Sequence, residues 1–214
     1  METYRLIPLE TYPRRAHFAY FSQMAQPYAG LTVPVEITAF LKKLRQEGSP
    51  FFLSFLYCVC RAANRVPELR QRIRGGEILE YAHCPASYTL ALEDGTYCYC
   101  VQDGRGPFEG YLPRAQWQQE AARVRRSLED GEDSLSLLFL STLPWVSYEA
   151  IVQPTPFPAD SNPRITWGRW RQEGERVVLP VSLLCHHALV DGRHMAAFYQ
   201  YLEEELAAFP HNKP

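Results

Sequence analysis

No stretch of this chain approaches the ~18 to 20 consecutive apolar residues that crossing a bilayer takes, and its opening, Met1-Glu2-Thr3-Tyr4-Arg5, carries no apolar leader core. A cytoplasmic protein without membrane contact is expected. An excess of positive charge is lacking too: 22 Lys and Arg face 24 Asp and Glu, leaving -2 at pH 7 and no general attraction for nucleic acid. No Gly-x-Gly-x-x-Gly follows a candidate strand and no phosphate-loop pattern occurs, which removes the commonest nucleotide-binding folds. Cys-x2-Cys pairs are absent as well. The six cysteines instead include two Cys-x-Cys pairs, Cys58/Cys60 and Cys98/Cys100, in apolar or alternating contexts where packing is the simplest use and no metal is expected.

What is present is an ordinary globular composition, 46% hydrophobic and 21% charged over 214 residues, about one domain's worth of chain. No repeat or linker divides it, so residues 1–214 are expected to form one domain, with the proline-rich stretch from Pro154 to Pro163 as a long loop. Apolar residues recur at helical spacing over Arg14 to Gln23, Thr38 to about Gly48, Phe51 to Ala63, Pro113 to Glu129 and Arg193 to Ala208. Strands are predicted at Leu31 to Ile37, Ile78 to Ala82, Ser87 to Leu92, Thr96 to Val101, Leu135 to Ser141, Arg164 to Trp170 and Arg176 to His186, with a hairpin signal at Glu93-Asp94-Gly95. Helices mixed with hairpin strands imply an α/β fold, a two-layer sandwich with a mixed β-sheet rather than a doubly wound one. The basic face of the 113–129 segment (Arg114, Arg123, Arg125, Arg126) fits a solvated helix surface.

The segment from Leu183 to Met195 is the most informative. An apolar strand ends in His186-His187, a short loop follows, and Asp191-Gly192 leads into a helix. Neighbouring side chains on a strand point to opposite faces, which argues against a metal shared by the two imidazoles. One structural and one functional histidine fit better, because an imidazole at a strand end can face a cleft and act as a general base near neutral pH. A satisfied core pair is the alternative.

The run His-His-x-x-x-Asp-Gly is the signature of CoA-dependent acyltransferases, and the chain resembles the chloramphenicol acetyltransferase family within them. Tyr12-Pro13-Arg14-Arg15-Ala16-His17-Phe18 is similar to the family's Trp-x-Arg-Lys/Arg-Glu-His-Phe, and Val66-Pro67-Glu68-Leu69-Arg70 to its Phe-Asp-Glu-Leu-Arg. Leu140-Ser141-Thr142-Leu143-Pro144-Trp145-Val146 looks like its Ile-Ser-Ala-Leu-Pro-Trp-Val. Gln172-Glu173-Gly174-Glu175-Arg176 and Leu179-Pro180-Val181-Ser182 resemble its Gln-Glu-Gly-Asp-Arg and Leu-Pro-Leu-Ser. The matches keep the family's order from about residue 4 to residue 206. Dihydrolipoamide acyltransferase cores share the histidine motif, but the Ser-x-x-Pro-Trp and Arg-Arg-x-His-Phe matches favour the antibiotic-modifying branch.

The resemblance implies a chloramphenicol acetyltransferase-like fold, a homotrimer with sites between subunits, and transfer of acetyl from acetyl-CoA to chloramphenicol or a related small alcohol. In that frame His187 is the base, Ser141 donates to the oxyanion, Thr166 positions a water, and Asp191 forms a buried ion pair with Arg14 that fixes the loop of the base. Arg169 falls where the family often has a lysine near CoA, while Gly48 stands at the other expected basic position. The acceptor pocket departs from the family: Ile151, Gln153 and Thr155 replace its Phe-x-Leu-x-Val, Phe21 replaces a tyrosine, and Tyr97 falls near a phenylalanine. Two other functions remain open, a non-catalytic binding or regulatory protein that keeps the fold, and an acyltransferase with another acyl carrier or acceptor.

Overall fold

The computed structural model describes residues 4–131 and 133–210. Its spine is an eleven-residue strand, Arg176–His186, whose run Val178 to Leu183 is buried on both faces. Numbered in chain order, the strands are β1 (Tyr4–Ile7), β2 (Tyr28–Glu36), β3 (Gln71–Arg74), β4 (Glu77–Tyr81), β5 (Ala86–Ala91), β6 (Tyr97–Gln102), β7 (Leu138–Thr142), β8 (Arg164–Trp167), β9 (Arg171–Glu173) and β10 (Arg176–His186). The helices are α1 (Arg15–Phe21), α2 (Thr38–Glu47), α3 (Phe51–Asn64), α4 (Phe108–Arg125) and α5 (Gly192–Ala208).

A seven-stranded sheet runs β2-β10-β8-β7-β5-β6, with β9 also on β10. The pairs β5·β7 and β7·β8 are parallel and the rest antiparallel, so the sheet is mixed as expected. Alternation of side chains sorts its two faces. Tyr88, Leu140, Ile165, Trp167 and Leu183 point to the helical layer, where Phe52 and Phe55 of α3 meet the Trp167 ring at 5.8 and 5.1 Å. The opposite face carries a row of hydroxyls across five strands: Thr89, Ser141, Thr166, Ser182 and Thr32. All six cysteines are buried and free, consistent with packing.

Several element boundaries differ from expectation. A second, three-stranded sheet, β1-β4-β3, takes the strand predicted at Ile78 to Ala82 out of the main sheet; β1 and β3 have only four residues each, too few to show a period. Helix α4 begins five residues before Pro113 and holds that proline inside it. Burial of Phe108 and Tyr111 overrides the local cost of proline: the Phe108 ring lies 5.3 Å from Tyr57, and the Tyr111 hydroxyl donates to the Leu53 carbonyl at 3.2 Å. The helix stops at Arg125 because Arg126 turns left-handed, φ 53°. Strand β2 starts at Tyr28, three residues early, because β10 extends the ladder through Gly30, where a Cβ would sit 2.7 Å from the Leu183 carbonyl oxygen.

The approach to β7 is held by a buried cation. Arg72 is fully buried, and its guanidinium donates to the carbonyls of Leu135 (2.7 Å), Leu69 (2.9 Å), Gln71 (2.7 Å) and Leu137 (2.8 Å). Asn162 donates from the other side to the carbonyls of Ser134 and Leu137, both at 2.8 Å. Together they replace the water that this irregular backbone would otherwise need. Arg72→Leu strands several buried acceptors at once and is expected to cost about 3 kcal/mol or more of stability. An unchanged urea midpoint refutes this account of the Leu135–Leu137 turn.

Candidate active site

The site residues fall into two groups. The first lies at the end of β10 and the start of α5. Here the His187 N–H donates to the Pro27 carbonyl at 2.7 Å, and the ring Nδ1 lies 2.8 Å from the Val190 carbonyl oxygen. A carbonyl only accepts, so Nδ1 carries the proton and Nε2 keeps a free lone pair. Phe21 of α1 stacks on the ring at 4.0 Å between centroids, which fixes its plane. Phe21 lies against His187 and is not among the residues that line the cavity described below.

Arg14 ties this loop down from the other end of the chain. One guanidinium nitrogen bonds the Asp191 carboxylate and another donates to the His187 carbonyl at 3.1 Å. Asp191 also caps α5 by accepting from the Arg193 N–H at 3.0 Å, and His194 Nδ1 accepts from the Asp191 N–H at 3.1 Å. The expected ion pair exists but is less buried than expected: the side chains are 14% and 35% exposed, because Asp191 lies at a helix start that opens to solvent. Partial burial opposes the Asp191 charge, yet His194, Arg14 and the Arg193 N–H hold its carboxyl below the usual value. His186 is buried, and its Nδ1 accepts from the Ala188 N–H at 3.3 Å; burial pulls its pKa down to about 4, with His187 adding to the effect and Asp160 opposing it. It is the structural imidazole of the pair.

The second group lines a cavity of about 1080 Å³ that reaches from the N-terminal end of α3 across β5 and β7 to the loop after β7. Ser141, Thr166, Tyr97, Ile151 and Gln153 are all in its wall. Ser141 Oγ lies 3.5 Å from Thr89 Oγ1, and the Thr166 hydroxyl donates to Gln153 Oε1 at 3.3 Å. Arg123, Asp130 and Arg164 also reach this wall, and sequence reasoning singled out none of them for the site. Arg164 had only a strand pattern around it, and its pairing with Asp160 four residues earlier carries no periodic signal. Arg169 is exposed and lies outside the cavity wall.

The chain does not bring its own two groups together. Ser141 is level with Thr166, and Thr166 with Ser182, while His187 lies five residues beyond Ser182, just past the end of β10. At ~3.3 Å per residue and ~4.8 Å per strand, Ser141 and His187 are roughly 15 to 20 Å apart.

Comparison with solved structures identifies the fold as the one shared by chloramphenicol acetyltransferase and the catalytic cores of 2-oxoacid dehydrogenase complexes. A solved chloramphenicol acetyltransferase superposes with a TM-score of 0.84 at 24% identity, over 95% of this chain and 99% of that one. The catalytic core of a 2-oxoacid dehydrogenase complex from Thermoplasma acidophilum gives 0.65 at 15%, over 97% and 100%. Within that fold, the family model described as chloramphenicol acetyltransferase matches residues 2–203. Chloramphenicol acetyltransferase 2 of Escherichia coli is 31% identical over 204 residues, 92% of this chain and 94% of the relative, and its counterpart from Haemophilus influenzae is 29% identical over the same shares. The chain belongs to the chloramphenicol acetyltransferase family and is an acyltransferase. Among the described residues no helix is long and apolar enough to cross a membrane.

Two outcomes follow from this geometry. Arg14→Ala leaves the Asp191 carboxylate and the His187 carbonyl without their shared donor, and is expected to cost roughly 1 to 3 kcal/mol in urea unfolding, less than a fully buried pair would; Arg14→Lys cannot reach both oxygens and should restore only part of it. The unfolded chain takes up the His186 proton near pH 6.5 and the folded chain only near 4, so the folded state holds fewer protons in between. Stability from the neutral ring is complete above about pH 6.5 and is lost as pH falls toward 4, up to roughly 3 kcal/mol. A His186→Gln chain whose melting temperature falls as steeply as wild type over that window contradicts the assignment.

Proposed function

We propose that this single domain is a cytoplasmic acetyl-CoA-dependent O-acetyltransferase acting on a small alcohol, chloramphenicol being the first acceptor to test. The observation that carries this is the His187 ring, held through Nδ1 by the Val190 carbonyl in the family's histidine motif. Nε2 takes the proton of the acceptor hydroxyl as its oxygen attacks the thioester carbonyl. Charge then develops on the carbonyl oxygen, where the Ser141 hydroxyl donates. The C–S bond breaks, the acetyl stays on the acceptor, and the proton passes from His187 to the departing CoA thiolate. Thr166 lies beside Ser141 and is placed to order a water next to the same oxygen. Arg14 and Asp191 orient the base through the His187 backbone and stay out of the proton path.

The cavity is large enough for both an acceptor and the arm of CoA. Arg169, exposed and without a side-chain hydrogen bond among the described residues, is available to the phosphates outside it. The separation of His187 from Ser141 within one chain supports a homotrimer, each chain supplying its histidine to a neighbour's cavity. Trp145, Val146, Val152 and Phe157, all exposed on the loop after β7, give that contact an apolar surface. Antibiotic resistance is the corresponding physiological role if chloramphenicol is turned over.

Thiol release from acetyl-CoA tests the scheme. His187→Ala is expected to abolish turnover with the fold intact, and Ser141→Ala to lower kcat by roughly 10² to 10³, the scale for one oxyanion donor. Equal His187→Ala and Ser141→Ala chains, refolded together, should regain roughly a quarter of wild-type sites, because an intact interface needs one parent of each kind. No recovery despite verified subunit mixing places both residues in one chain's site. A Ser141→Ala enzyme within twofold of wild type removes Ser141 from the mechanism.

A further inference from the structure

The wall that an acceptor would face holds donors that the fold leaves unused. Gln153 accepts from the Thr166 hydroxyl through Oε1, and its Nε2 has no partner among the described residues. Two residues before Thr166 on β8, and so on the same face, Arg164 spends both terminal nitrogens on Asp160, at 2.8 and 2.7 Å, with a longer bond to the Asn162 carbonyl at 3.2 Å. Its Nε–H has no partner among the described residues. Asp160 is itself fixed by the Tyr28 hydroxyl, which donates to it at 3.0 Å, and the Arg164 cation lies over the Tyr28 and Phe139 rings at 5.7 and 5.6 Å. Both Gln153 and Arg164 line the large cavity.

The paired carboxylates of Asp160 and Glu120 cancel most of the charge of Arg164 and of Arg123, and Asp130, which accepts from the Ser87 hydroxyl, adds negative charge to the same wall. What this wall offers is hydrogen-bond donors without net positive charge. An uncharged oxygen satisfies that; a carboxylate meets Asp130 and an Arg164 already neutralised by Asp160, and an alkyl group leaves the donors desolvated and unpaired.

We infer that Gln153 and Arg164 are specificity-determining residues that select an alcohol bearing a neutral oxygen acceptor, a carbonyl or a further hydroxyl, beside the reacting group. This rests on the acetyl-transfer scheme only for which hydroxyl reacts; the preference is a property of binding. The fixed, doubly bonded Arg164 gives it direction, since its Nε–H cannot swing to follow the ligand.

The test uses the full chain in its native assembly and a series of small alcohols of similar size, in which the carbon next to the hydroxyl-bearing carbon carries methyl, hydroxyl, carboxamide or carboxylate. Binding is read by calorimetry and turnover by thiol release. Wild type is expected to bind the hydroxyl and carboxamide members roughly three- to tenfold more tightly than the methyl member for each hydrogen bond gained, and the carboxylate no better than the methyl. Gln153→Leu should erase or invert that ratio; Arg164→Ile, made together with Asp160→Asn so that no lone carboxylate remains, should shift it the same way. A wild-type chain that binds the methyl compound as well as the others overturns the inference, as does a Gln153→Leu chain whose ratio stays within twofold of wild type. If the binding preference holds and no member is acetylated, the transfer scheme fails and the selectivity of the wall stands.

Discussion

The pairing of β10 is the constraint from which the rest of the molecule takes its geometry. One strand hydrogen-bonds to β2 on one side and to β8 and β9 on the other, so its register sets both halves of the large sheet. Side-chain period is two, and a one-residue slip would turn Leu183 and Val181 out of the helical core and bring Ser182 into it. The same slip would move His187 off Phe21 and Arg14. Core packing and placement of His187 are thus specified by one set of backbone bonds, which is why the histidine motif can be read so directly from sequence.

Polar anchors outside the sheet matter for the same reason. The turn before β7 has no ladder to satisfy its carbonyls, and Arg72 and Asn162 reach it from two different segments. Burial disfavours the charge of Arg72, whose pKa is lowered accordingly, and its four carbonyl partners, with the Cys84 sulfur at 3.5 Å, retain the guanidinium there. Those bonds determine where β7 begins and hence where, three residues into it, Ser141 stands in the hydroxyl row.

Legibility in the sequence followed the strength of local pattern. Helices α2, α3 and α5 and strands β5, β6 and β10 were close to expectation because each has a clear period or a clean stop, such as Gly48 at φ 64° after α2. Strands β1 and β3 were invisible because their partners, not their four residues, make them strands. Helix α4 was misplaced because proline is a strong start signal, overridden here by aromatic burial a turn earlier. At the site, the pairing of Arg14 with Asp191 across 177 positions could be anticipated only through family resemblance. The placement of Phe21 against His187, rather than in the cavity, needed the structure, since sequence order says nothing about which side of a ring is covered.

The two faces of the large sheet carry opposite demands, and the departures at Ile151, Gln153 and Thr155 fall in the loop over the less constrained one. Leu140, Ile165 and Leu183 are closed in by α3 and α5, where adding or losing one methylene costs stability. The hydroxyl face is covered by a loop without regular structure between residues 143 and 163, and there a change of side chain perturbs no helix packing. Polar groups such as Gln153 and Arg164 can be satisfied on that face by hydroxyls, by Asp160 and by whatever occupies the cavity. The residues of this wall can therefore diverge while His187, its Arg14 tether and the core beneath them remain in register.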